Sequence, residues 1–232
     1  MSTEVVVALA VVVAGLVGAA GPVVVRRLPE PVPHPDEGAQ EPAKVPYAAL
    51  GSTRASILLG LLAAASTLAV ADLLPSRTLL AAWVVLAGVG AWLAWVDWRT
   101  RLLPFRLTAP LHVAVLLLIV LAAALDRDWS LLWAGLLANV LVFALFWVLW
   151  FVGARVGSTF GYGDVRLAGI LALALGPLGY TATAAGIYAG FLLGAVGGIA
   201  LSALGIVDRK GFAFGPYMVV GAFVGPLVVS LW

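Results

Sequence analysis

Two aspartates that border long apolar runs are the residues of this sequence best placed to do chemistry. Asp97 follows Trp95-Val96 at the end of one run, and Asp164 opens another within Gly161-Tyr162-Gly163-Asp164. A carboxylate beside a membrane-embedded segment costs free energy, so a functional role is the first hypothesis for it. Asp97 and Asp164 are therefore the candidate catalytic residues.

A pair of carboxyl groups held close together can hydrolyse an amide bond without a metal ion or a thiol. Two such groups cannot both ionise readily, so one of them keeps a proton. The ionised member can draw a proton from water, which then attacks a carbonyl carbon, while the protonated member donates a hydrogen bond to the carbonyl oxygen. This is the chemistry of an aspartic protease, and the two aspartates are predicted to share one proton in this way.

The sequence offers no competing catalytic or metal-binding set. It has no cysteine, which excludes a disulfide framework, a Cys-ligated zinc site and a thiol nucleophile. His34 and His112 are far apart in the predicted topology and accompany no serine elbow or His-Glu motif. A further acid, Asp208, lies beside Arg209 and Lys210 and is interpreted as a solvated loop charge. We predict no bound metal.

The composition excludes a soluble domain. Of the 232 residues, 63% are hydrophobic and 10% are charged, against roughly 25% charged residues in ordinary soluble domains. The net charge of +2 is too small for a nucleic-acid-binding surface. The chain is predicted to be a single all-α, polytopic membrane domain over residues 1–232, with the lipid bilayer as its surroundings.

Eight apolar runs are long enough, or nearly so, to cross a hydrocarbon layer about 30 Å thick. The boundary between the sixth and the seventh is predicted around Gly176, Pro177 and Gly179. The runs cover approximately Val5–Val25, Ala55–Leu74, Thr78–Val96, Leu107–Leu125, Ser130–Val152, Val165–Leu178, Thr181–Leu204 and Phe212–Trp232.

The positions of the cations predict the orientation of these spans. Lys and Arg residues in short loops favour the cytoplasmic side. With both termini outside, only Arg77 and Arg127 among the 13 Lys and Arg residues fall in outer loops. Asp97 and Asp164 then lie at the same, cytoplasmic level of the membrane. The longest inner loop, residues 26–54, holds six of the 13 prolines and is predicted to be an extended connector.

Glycines are expected to set close contacts in two places. Gly161 and Gly163 let the chain turn sharply before Asp164, so that another backbone or a second carboxylate can approach it. The alternative is that Asp164 only caps its helix. Later in the chain, glycines at every fourth position predict close packing of the seventh and eighth spans, deep in the bundle; they are Gly186, Gly190, Gly194, Gly198, Gly221 and Gly225.

At these residues the chain resembles the prepilin peptidases, which are the type IV leader peptidases among the GxGD aspartyl intramembrane proteases. Residues 161–166 resemble the Gly-x-Gly-Asp-x-Lys signature, with Arg166 in place of Lys. Residues 97–104 resemble the segment of the first catalytic Asp, although Phe105 stands where Asn is common. Residues 212–217 are similar to the late Phe-Gly-Pro-Phe turn, and residues 18–29 to the end of the first span.

The resemblance implies a multi-pass protein of the cell inner (plasma) membrane. Its partners would be type IV prepilin or pseudopilin precursors, cut at the cytoplasmic face between a short basic leader and a hydrophobic helix. Asp97 and Asp164 would be catalytic, and the matching turns supply the predicted substrate-binding residues Gly161, Gly163, Phe214, Gly215 and Pro216. Many bacterial members also bind zinc through paired loop cysteines and methylate the new N-terminus. Without cysteines zinc is excluded here, and S-adenosylmethionine is expected only if methylation is retained.

Two other classes of protein remain as alternatives. A transporter or channel could use paired carboxylates for ion or proton handling, and it would show inverted repeats and acids near the middle of the membrane. A membrane scaffold would use the aspartates only as helix caps, so that Asp→Asn changes would cost it little.

Overall fold

The computed structural model describes residues 2–30, 45–155, 161–204 and 213–231. In these ranges the chain forms a bundle of α-helices and no β-strand. The eight α-helices are α1 (Thr3–Val25), α2 (Thr53–Ala71), α3 (Leu80–Thr100), α4 (Phe105–Asp126), α5 (Ser130–Arg155), α6 (Tyr162–Leu175), α7 (Tyr180–Ala203) and α8 (Gly215–Val229).

Six of these helices, α1 to α5 and α7, are long and apolar enough to cross a membrane. The prediction of an all-α polytopic membrane protein is confirmed. Of the eight helices in the described ranges, α6, which was already predicted to be short, has 14 residues, and α8, which was predicted to be a full span, has 15. At 1.5 Å per residue, α6 is about 21 Å long, which is shorter than a typical hydrocarbon layer.

Helix α6 lies in the centre of the bundle. It packs against α3, α4, α5, α7 and α8, and every residue from 167 to 177 is buried. A helix that is surrounded by other helices does not face lipid, so its length need not match the thickness of the bilayer. The short α6 begins within the bundle and carries a buried carboxylate, Asp164, in its first turn.

The end of α6 falls where the sequence predicted it. A 3₁₀ turn over Gly176–Leu178 is followed by Gly179, whose φ of 98° is in the left-handed region that favours glycine. A Cβ atom at Gly176 would overlap the backbone of α5 at Ala134 and Gly135. The predicted boundary between the sixth and seventh spans is confirmed.

The glycines of α7 and α8 hold these two helices in backbone contact. A Cβ atom at Gly221 would overlap the amide of Gly190, and one at Gly225 would overlap the amide of Gly186. The predicted close packing is confirmed at Gly186, Gly190, Gly221 and Gly225. The prediction that both helices lie deep in the bundle is wrong for α7, where Tyr188 and Ile199 are 68% and 73% exposed. A glycine stripe brings only one face of a helix close to its neighbour.

The described ends of the proline-rich loop, residues 26–30 and 45–54, contain local structure, where the sequence predicted an extended or disordered connector. Tyr47–Leu50 forms a 3₁₀ turn whose Tyr47 and Leu50 are buried. The Glu30 carboxylate accepts hydrogen bonds from the backbone N–H groups of Tyr47 (3.0 Å) and Ala48 (3.2 Å). The carboxylate thus caps the turn and ties the two ends of the loop together. Residues 31–44, and the predicted loop charge Asp208, lie outside the described ranges.

Candidate active site

Asp97 lies in the last turn of α3 and contacts the beginning of α8. Its side chain is only 4% exposed. The Oδ2 atom accepts a hydrogen bond of 2.8 Å from the N–H of Gly215, the first residue of α8 and 118 positions away along the chain. The first N–H groups of a helix have no partner within the helix, and the helix dipole favours negative charge there. Asp97 therefore fills the anion position at the N-terminus of α8.

Gly215 is required for this contact. A Cβ atom at residue 215 would lie 2.8 Å from Oδ2 of Asp97 and 3.2 Å from its Cγ. Pro216 follows in the first turn of α8, where a missing N–H costs no hydrogen bond. The Phe214 ring contacts Phe191 of α7, with 5.2 Å between ring centroids. The turn that was predicted to bind substrate thus brings the backbone of α8 onto Asp97.

Asp164 is held by its own turn. It is the third residue of α6 and is 9% exposed. Its Oδ2 accepts a hydrogen bond of 3.1 Å from the N–H of Gly161, and its own N–H donates to the Gly161 carbonyl, also at 3.1 Å. Gly161 has an extended backbone (φ −86°, ψ 148°) that any residue can adopt. The capping interpretation is thus correct for one carboxylate oxygen, and the conformation of Gly161 does not require glycine.

Gly163 makes room for a different neighbour than the one expected. A Cβ atom at residue 163 would lie 2.8 Å from the Cβ of Leu103. The close approach that this glycine allows is therefore to Leu103, in the segment that follows α3, and not to the second carboxylate. Sequence reasoning missed Leu103 because an apolar residue between two helices has no chemical signature.

The fold brings the two aspartates together from different helices. Asp97 and Asp164 are close enough for their charges to interact. Within the described residues, neither carboxylate forms an ion pair, and the Oδ1 atom of each accepts no hydrogen bond. Charges interact strongly in a buried, weakly polar environment. Backbone N–H groups thus hold the Oδ2 atom of each aspartate, and no residue of the described ranges donates a hydrogen bond to either Oδ1 atom.

The described residues contain no group of three or more His, Cys, Asp or Glu side chains that could hold a metal ion. His112 lies in α4, where its Nε2 is 3.1 Å from Nδ2 of Asn139. The same Nδ2 donates a hydrogen bond of 2.7 Å to the carbonyl of Gly169 in α6. This polar link among α4, α5 and α6 was not predicted from the sequence, because its members are distant along the chain.

A bundle of apolar helices that buries two neighbouring carboxylates is the architecture of a multi-pass membrane protein. The family model described as the type IV leader peptidase family matches residues 82–231, which is most of the chain and includes both aspartates. The chain therefore belongs to the type IV leader peptidase family, as the resemblance predicted. No curated protein and no solved structure matches it. Helices α1 and α2 lie outside the matched range.

Proposed function

We propose that this type IV leader peptidase is an aspartyl endopeptidase in which Asp97 and Asp164 act as one catalytic unit. The observation that carries the proposal is the convergence of the two carboxylates from α3 and α6, both buried and without an ion pair in the described ranges. Buried carboxylates with a purely structural role are usually paired with cations. Paired carboxylates that lack cations suit proton transfer.

In the proposed reaction, one carboxylate accepts a proton from water, and the oxygen of that water forms a bond to the carbonyl carbon of the scissile peptide. The other carboxyl group gives its proton to the carbonyl oxygen. When the C–N bond breaks, the first group returns a proton to the leaving nitrogen, and the second regains one from the hydroxyl of the intermediate. The Gly215 and Gly161 N–H groups hold the Oδ2 atoms in place throughout.

The proposed substrates are prepilin-like precursors with a basic leader and a hydrophobic helix, cut at the cytoplasmic face of the inner membrane. The proposal rests on the family and on the charges at each end of the bundle. An Asp72–Arg77 ion pair (2.7 Å) and a Thr78–Asp126 hydrogen bond (2.7 Å) lie at the end remote from the aspartates. The near end carries an excess of cations, which favours the cytoplasm; they include Arg99, Arg101, Arg106, Arg155 and Arg166.

We propose no cofactor for the cleavage step, since the carboxylate pair can supply both proton transfers. S-adenosylmethionine would enter only through a retained methylation activity. A transporter or channel is a weaker proposal, because both aspartates belong to the terminal turns of their helices, and family membership supports a peptidase.

The proposed function is tested by incubating the protein in lipid nanodiscs with a synthetic prepilin-like precursor and following the product by mass spectrometry. Asp97→Asn, Asp164→Asn and the double variant are each expected to cleave at least about 10³-fold more slowly, with the double variant no worse than either single one. Asp126→Asn, at the other end of the bundle, is the matched control and is expected to cleave normally. Cleavage by either single active-site variant at more than a tenth of the wild-type rate contradicts the pair.

The membrane orientation is tested with single cysteines, since the native chain has none. Arg101 and Arg127 form a matched pair, because each ends a helix in the left-handed conformation (φ 56° and 55°) at opposite ends of the bundle. In intact cells, a membrane-impermeant maleimide is expected to label Arg127→Cys and to spare Arg101→Cys until the cells are lysed. The reverse pattern places the catalytic end outside.

A further inference from the structure

Arg166 joins the turn that carries Asp164 to the segment that follows the helix of Asp97. It is half-buried in the first part of α6, and its Nη2 donates a hydrogen bond of 3.3 Å to the carbonyl of Leu103, 63 positions earlier in the chain. Its Cζ atom lies 5.2 Å from the centroid of the Phe105 ring and 5.7 Å from that of Tyr162. An arginine that stacks on aromatic rings and donates to a carbonyl makes several favourable contacts at once.

These contacts are not those of a solvated surface charge. Within the described residues, Arg166 forms no ion pair, and its Nε atom is buried without a hydrogen-bond partner. Partial burial of a cation is unfavourable unless specific contacts offset it. The contacts that offset the cost of burying this cation include those with residues 103–105. This segment packs tightly on α6, because a Cβ atom at Gly163 would overlap Leu103.

Residues 101–104 form the connection between Asp97 and these contacts. Arg101 ends α3 in the left-handed conformation, with its N–H donating to the carbonyl of Asp97 at 2.7 Å. Leu103 follows two residues later, and its carbonyl accepts the hydrogen bond from Arg166. Because this short connection is held at both ends, a shift at the start of α6 also shifts the end of α3.

We propose that Arg166 is a positioning residue, which fastens residues 103–105 to the first turn of α6 and thereby fixes the approach of Asp97 to Asp164. The catalytic part of this inference rests on the proposed function, whereas the fastening itself does not.

The chain offers a matched control in Arg155. Its Nη1 donates a hydrogen bond of 2.7 Å to the carbonyl of Phe151, and its Cζ lies 3.3 Å from the centroid of the Phe151 ring. The chemistry is the same as that of Arg166, but both contacts stay within α5. Arg155→Gln therefore removes an arginine of the same kind without releasing any segment near the aspartates.

The experiment measures hydrogen exchange and kinetics of the full chain in nanodiscs. In Arg166→Gln, the amides of residues 101–103 and 105–107 are expected to exchange roughly tenfold faster than in wild type, with no such change in Arg155→Gln. Cleavage of the synthetic precursor by Arg166→Gln is expected to show kcat lowered roughly tenfold and KM within about twofold. Phe105→Tyr, which keeps the ring, is expected to retain most of kcat, whereas Phe105→Leu loses part of it.

Unchanged exchange of residues 101–107 in Arg166→Gln overturns the proposal. So does faster exchange with an unaltered kcat, which would leave Arg166 as a purely structural residue. If the wild-type chain cleaves no precursor, the proposed function fails on its own, and the exchange data still decide whether Arg166 fastens the segment.

Discussion

The two aspartates are held in opposite ways. Asp164 takes its hydrogen bond from Gly161, three residues before it, so its position is set by a single turn of chain. Asp97 takes its hydrogen bond from Gly215, at the start of another helix. The hydrogen bond to Asp164 needs only the first turn of α6. The hydrogen bond to Asp97 forms only when α3 and α8 have packed against each other.

Asp97 is the aspartate whose position is more sensitive to the packing of the helices. The packing of α3 on α8 is fixed at its other end by the edge-to-face contact of Trp83 with Phe223, whose centroids are 5.2 Å apart. A shift of α8 by a fraction of an ångström changes the hydrogen bond between Gly215 and Asp97. A shift of α6 leaves the hydrogen bond between Gly161 and Asp164 intact, because both residues belong to the same turn. In the proposed reaction, catalysis depends on the separation of the two carboxylates, so a displaced contact between Asp97 and α8 is expected to cost more than a displaced turn at Asp164.

Among the substitutions that distinguish the surroundings of Asp97 from those of Asp164, Gly215→Ala is expected to have the largest effect on kcat. The added Cβ would press on the Asp97 carboxylate, where only 2.8 Å is available, so kcat is expected to fall roughly 10²-fold. Gly161→Ala on the other side meets Oδ2 of Asp164 at an ordinary 3.4 Å and is expected to lower kcat by no more than about threefold. The measurement is precursor cleavage at equal levels of membrane-inserted protein. Equal losses in the two variants would remove the distinction between the aspartates.

A smaller effect on kcat is expected from Gly163→Ala, which disturbs the contact between α6 and the segment that follows α3. Because its Cβ would overlap the Cβ of Leu103, kcat is expected to fall roughly tenfold. In a Leu103→Gly background the same change is expected to cost less than about twofold, since the overlapping atom is gone. Leu103→Ala keeps that atom and serves as the control that gives no rescue. Rescue by both backgrounds would mean that some other atom is responsible.

The helices and the Asp164 turn were predictable because their causes are local. Long apolar runs specify membrane helices, and the glycines at 176 and 179 ended α6 as expected. The errors concern long-range packing. The short length of α8, the peripheral position of α7 and the identity of the residue next to Gly163 all depend on which helices surround one another.

Contacts between residues far apart in the chain could not be predicted from the sequence either. Arg166 and Phe105, two of the positions where the chain departs from the pattern that it resembles, contact each other in the structure. Neither departure had an explanation when considered alone. The folded ends of the proline-rich loop were missed for the same reason, since Glu30 and Tyr47 meet across 17 positions.

The amino-acid sequence was enough to predict a helical membrane protein with two acids at helix ends, because hydropathy and charge act residue by residue. The packing of the helices was needed to show that the two acids lie close enough for their charges to interact, that α8 supplies the hydrogen bond to Asp97 and that Arg166 contacts the segment after α3. Those relations depend on the packing of helices that are separated by tens of residues, and no local pattern encodes the distance between them.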